Sequence, residues 1–131
     1  MFNQFDSLPI KIDASMSETM NGVYEASGIL KYMKQTVILQ VRTLQVDMTE
    51  SPIKEYLLKL DKISGVEFKK PLLARPRLTF FLNDLHAVSG MIGVNGNKFT
   101  VTTDRKNGGT LMDLYTAMNL AISERRLSDL D

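Results

Sequence analysis

The sequence predicts an α+β domain: a mostly antiparallel sheet of about five to seven strands, with two helices at 51–63 and 110–126 packed on it. Three observations carry this expectation. Residues 36–46 and Arg77–Leu82 are short runs rich in β-branched and aromatic side chains, the composition of pleated, half-buried strands. Two other stretches repeat their apolar residues at helical spacing. The strand-like runs also follow one another instead of alternating strictly with helices, which favours an antiparallel sheet over a doubly wound nucleotide fold.

Taken in order, residues 1–9 read as a tail and 10–131 as one domain, a size that buries about two-thirds of the unfolded chain's surface without staples. Phe2 and Phe5 are the tail's large apolar residues, able to dock on their own core or on a partner or sister subunit. Ile10, Lys11 and Ile12 read as a short strand. Asp13 or Ser15 then caps a helical turn through Met16 and Met20 that ends near Asn21 and Gly22. Val23–Met33 fits either a strand or a helix. Gly22 and Gly28 would each cost a helix interior about 1 kcal/mol, so a long hairpin with 36–46 is preferred. Its turn, Lys34 and Gln35, lacks Asn-Gly chemistry.

Ser51 as N-cap, Pro52 at the first helical position, an apolar stripe of Ile53, Tyr56, Leu57, Leu60 and Ile63, and Gly65 beyond the end predict the first helix. Strands follow at 66–69 and Arg77–Leu82, with Pro71 and Pro76 marking an edge segment or loop between them. Asn95-Gly96 signals a hairpin, in which Phe99 and Val101 face one way and Lys98, Thr100 and Thr102 the other. Thr110, with Asp113 three residues on, caps the last helix. Its stripe is Leu111, Leu114, Tyr115, Met118, Ala121 and Ile122, and Arg125 and Arg126 suit its C-terminal dipole.

Composition narrows the chemistry. The chain has no cysteine, which excludes disulfides, thiolate metal sites and cysteine nucleophiles. One histidine, His86, near Asp84 in a connecting loop, is a poor start for acid–base or metal chemistry, and the carboxylates are scattered. No cofactor or metal is expected. No apolar run approaches the roughly 18 residues a membrane span needs, and the start lacks a basic region followed by an apolar stretch. The expected compartment is the cytoplasm, with no membrane partner.

Net charge is +1 but uneven. Lys69, Lys70, Arg75 and Arg77 gather in one basic segment, which suggests nucleic-acid contact or a solvated strand edge. Arg105, Lys106, Gly108, Gly109 and Thr110 form a basic, glycine-rich lead into the last helix. They read either as an anion site or as a turn using its glycines at positive φ. Eight methionines suit flexible core filling or adaptable contact surface. The leading expectation is a non-enzymatic binding or assembly module, a small subunit or adaptor acting through protein–protein contacts, as a homodimer or in a larger complex. The alternative is a DNA- or RNA-binding accessory protein using the basic 69–77 segment. A phosphate-handling enzyme stands third.

Overall fold

The computed structural model describes residues 7–13 and 23–129. The helical turn expected from Asp13 to Met20, and Phe2 and Phe5, fall outside or largely outside these residues. Seven strands form one antiparallel sheet: β1 Leu8–Ile12, β2 Val23–Met33, β3 Thr36–Gln45, β4 Lys54–Lys59, β5 Ile63–Lys69, β6 Arg77–Leu82 and β7 Lys98–Thr102. Among the described residues a single long helix, α1, runs over Gly108–Asp129. Short 3-10 turns occupy Leu60–Lys62, His86–Val88 and Arg105–Asn107.

The sheet order is β4-β3-β2-β1-β7-β6-β5. Its two outermost strands, β4 and β5, are joined by only the three residues Leu60–Lys62. A flat sheet of seven strands would hold its edges about 29 Å apart. That linker reaches roughly 15 Å at most. The sheet therefore rolls until its edges meet at the corner. The pairings also fix direction: β1 is antiparallel to both β2 and β7, and alternation carried round from each side leaves β4 and β5 pointing the same way. The chain rounds the corner without reversing.

The corner is pinned on both sides. Leu60 N–H bonds to the Gln35 carbonyl at 2.9 Å, and Asn83 bonds to it twice, backbone N–H to Lys62 O and side-chain amide to Asp61 O, each at 3.0 Å. Arg126 donates to the Ser64 carbonyl from the end of α1. The arginines expected to serve the helix dipole thus also tie the helix to the corner, Arg125 approaching Asp61 at 3.8 Å.

The concave face is the core. Period-2 alternation places Leu8, Ile10 and Ile12, then Ala26 and Leu30, then Val37, Leu39 and Val41 inside, with Leu58, Leu78, Phe80, Leu82, Phe99 and Val101 completing it. Phe80 and Phe99 oppose each other across β6 and β7 and stack at 4.7 Å. Helix α1 covers β5 with the expected stripe: Leu111, Leu114, Met118 and Ile122 are buried, and Tyr115 and Ala121 pack beside them. The 83–97 connection closes another part of the core with Val88 and Met91.

Several expectations change. There is one main helix, not two. Residues 51–63 form β4 and the corner turn instead, because Tyr56, Leu58 and Leu60 also satisfy a period of two and β3 offers them a strand edge. Ile53 and Leu57, assigned to a buried helical stripe, are 59% and 54% exposed. Ser51 is no N-cap: its hydroxyl accepts from Thr43 N–H. The expected hairpin of Val23–Met33 with β3 is present. The Asn95-Gly96 signal makes a tight turn one residue further on, with Gly96 and Asn97 between the mutually bonded Asn95 and Lys98, but its first arm is not a strand. Helix α1 begins at Gly108, so Thr110 lies inside it rather than capping it.

Two positions expose the cost of this geometry. Lys34 and Gln35 both take left-handed φ, +51° and +57°, to turn β2 into β3 in two residues. K34N/Q35G is therefore expected to raise stability by about 1 kcal/mol, read as a higher urea midpoint with an unchanged slope. Gly28 lies where β2 and β3 close on each other, and a Cβ there would run into the Gln40 carbonyl. Gly28→Ala is expected to destabilise the fold by about 3 kcal/mol in the same measurement.

Candidate docking end

The two basic segments that the sequence keeps thirty residues apart converge at one end of the molecule. The loop after β5, residues 70–76, lies against the 103–108 stretch that leads into α1. Thr103 N–H bonds to the Pro76 carbonyl at 3.2 Å, and the Arg105 guanidinium donates to the Leu72 carbonyl at 3.0 Å. Arg75 pairs with Asp104 at 3.2 Å. These contacts brace the loop between Pro71 and Pro76, whose fixed φ already restricts it.

Gly108 explains how the loop comes so close. Its φ of −60° and ψ of −38° are ordinary helix, so it does not serve a left-handed turn, which overturns that reading of the glycine pair. Space is the reason. A Cβ at Gly108 would sit 3.0 Å from Pro76 Cγ and 3.5 Å from Lys70 Cε. Gly109 has open space around it and is exposed. The Lys70 ammonium is thus held beside the start of α1, where helix dipoles already place positive charge. Arg105 and Lys106 form the 3-10 turn just before it. Asp104 and Glu67 face Arg75 and Lys69 in ion pairs. The result is a positive collar of Lys69, Lys70, Arg75, Arg105 and Lys106. Arg77 stands apart from the loop on β6, cross-strand from Lys69, with its Nε buried and unbonded. Thr110 is half-buried in the first turn of α1.

Above the collar stands a feature that sequence reasoning did not single out. Leu72 and Leu73 are 88% and 90% exposed at the tip of the loop, the most exposed large apolar side chains among the described residues. A signal was available: two adjacent leucines between prolines, fitting no helical or strand period, in a stretch from Phe68 to Leu82 without a carboxylate. Behind the tip lies a cleft of about 290 Å³ with Lys70 and Arg105 on its rim. A second cleft of about 320 Å³ opens on the other side of the Arg75–Asp104 pair, over Pro9, Lys11, Ser27 and Thr102.

In the second cleft Ser27 stands cross-strand from Lys11, whose ammonium is paired with Glu25, so it is not poised as a base. His86 lies elsewhere, on the 83–97 connection, with its side chain 98% exposed. Asp84 accepts the His86 backbone N–H at 3.0 Å, which holds its carboxyl below the ordinary value, with Lys62 nearby adding to the effect. That arrangement shapes a turn. Among the described residues no group of three or more His, Asp or Glu gathers in a metal-binding cluster, and no helix is long and apolar enough to cross a membrane. Of the aromatic rings flanking the basic segment, Phe80 is fully buried on Phe99 and Phe68 lies 6.0 Å from Tyr115 of α1, while Phe81 is half-buried between Gly65 and Lys98 on the other face of β6.

Comparison of the chain with known protein families, with curated proteins and with solved structures finds no significant match.

The packing at Gly108 has a direct test. Gly109→Ala, helical and unobstructed, is expected to stabilise the protein by about 1 kcal/mol. Gly108→Ala carries the same propensity gain but presses on Pro76, so its thermal midpoint is expected to stay below that of Gly109→Ala.

Proposed function

We propose that the protein is a non-enzymatic docking module, a small subunit or adaptor that works by surface contact through the Leu72–Leu73 tip and its basic collar. One observation carries the reading: two adjacent leucines are held in water by a braced loop. Exposing them gives the fold nothing, since burying each would be worth about 2 kcal/mol. Bracing them there makes sense when another surface covers them. An apolar centre with a charged rim is the usual build of a contact surface. The collar adds that the partner is negatively charged around the contact.

The nucleic-acid reading uses the same cations and is weaker here. A phosphate backbone has no use for paired leucines, and of the flanking rings Phe68 and Phe80 are packed, leaving only the half-buried Phe81 for base stacking.

The test is L72S/L73S. Because both side chains are in solvent, its melting temperature is expected to match the wild type. In lysates of the native cells the wild-type chain is expected to sediment with a larger assembly or particulate fraction, and the variant as a free 14.8 kDa chain. Identical sedimentation of the two proteins ends the proposal. Labelled DNA and RNA titrated at low salt supply the control. Tight binding that falls steeply with salt and ignores the double substitution favours the nucleic-acid reading.

A further inference from the structure

We infer that the surface this end docks on is an anionic lipid bilayer, the leucine tip entering the hydrocarbon boundary and the collar meeting lipid phosphates. The inference rests on the docking reading above and names its partner.

Shape comes first. Leu72 and Leu73 are adjacent, and neither shelters the other: both are close to fully exposed. The tip is convex. A protein that buried both would have to present a pocket surrounding it, whereas fluid acyl chains surround a protruding loop without any shaped pocket.

Charge comes second. Lys70 and Arg105 line the base of the loop and Lys106 follows in the adjoining turn, while the two carboxylates there, Glu67 and Asp104, are already paired with Lys69 and Arg75. Lys70 and Arg105 line, together with Leu72, a cleft of about 290 Å³, large enough to admit a phosphate-sized group beside the tip. Apolar tip followed by cations is the order a bilayer presents in reverse, headgroups outside and hydrocarbon within. Anionic lipid attracts basic residues near the surface, each worth roughly fivefold in affinity.

Backbone comes third. A loop entering the interface must satisfy its polar groups. Arg105 already bonds the Leu72 carbonyl at 3.0 Å, and Pro71 has no N–H to satisfy. Two prolines and the Arg105 and Arg75 braces leave little chain entropy to lose on insertion.

The experiment is co-sedimentation of the full chain with vesicles of phosphatidylcholine alone and of phosphatidylcholine mixed with phosphatidylglycerol. Preference for the anionic vesicles by roughly tenfold or more is expected, with L72S/L73S losing about tenfold or more and K69Q/K70Q about 25-fold. Both variants alter exposed side chains, so an unchanged melting temperature separates lost binding from lost folding. Equal binding to the two vesicle types, or binding that ignores L72S/L73S, overturns the inference. In parallel, a photoreactive diazirine analogue replaces Leu72 in intact native cells. A lipid adduct is expected. A protein adduct without vesicle binding overturns the bilayer and leaves the docking reading standing. Neither an adduct nor vesicle binding overturns both.

Discussion

The corner at Leu60–Lys62 is the constraint on which the architecture depends. It joins the two outer strands of a seven-stranded sheet without turning the chain round. Everything else accommodates that. The sheet has to roll, and its concave face becomes a core closed by α1 and by Val88 and Met91. Several of the corner's backbone polar groups, otherwise stranded between two strand systems, are met by a hairpin turn, by Asn83 and by the last turns of the helix. The left-handed pair Lys34 and Gln35 belongs to the same arrangement, since the Gln35 carbonyl is what receives Leu60 N–H.

From that corner the chain continues through β5 to its far end, and there lies the candidate site. Strands β5 and β6 separate into the 70–76 loop at the same end at which β7 hands over to α1. Two basic segments thereby meet because a strand end and a helix start share one rim of the rolled sheet. The absence of a side chain at Gly108 lets them touch. The electrostatics are the reverse of what a stable helix start would choose: Lys70 beside the N-terminus of α1, and Asp104 turned to Arg75 without capping the helix. Local unfavourable charge of this kind is a cost to folding that an anionic partner would offset.

How much was legible depended on how many structures a given pattern satisfies. Helix α1 was readable because its stripe of Leu111, Leu114, Met118 and Ile122 fits only a helical period. Strands β3 and β7 were readable from alternation that fits only a strand, and β6 from a short run apolar on both faces, which placed it inside the sheet. Residues 51–63 were not, because Ser51-Pro52, good helix formers and a terminal glycine make a locally coherent helix, while Tyr56, Leu58 and Leu60 make an equally coherent strand face. The edge of β3 decided between them, and no local pattern contains that edge. At the site, the cations were visible and their convergence was not, because it depends on topology. Leu72 and Leu73 were visible as residues, but their exposure belongs to the folded loop alone.

The seam between β1 and β7 carries a consequence for how the molecule assembles. Among the described residues it comprises the pairs Lys11 with Thr102 and Ile12 with Val101, the bond from Asp13 N–H to the Thr100 carbonyl and the Thr103 hydroxyl on the Pro9 carbonyl, whereas the neighbouring ladders are longer and join residues closer in the chain. Closing that seam spends the entropy of a loop spanning most of the polypeptide and returns few hydrogen bonds. Local hairpins β2–β3–β4 and β5–β6–β7 have reason to form early, and the seam only once both present their apolar faces. Contact order thus favours two meanders that meet late, with α1 covering β5.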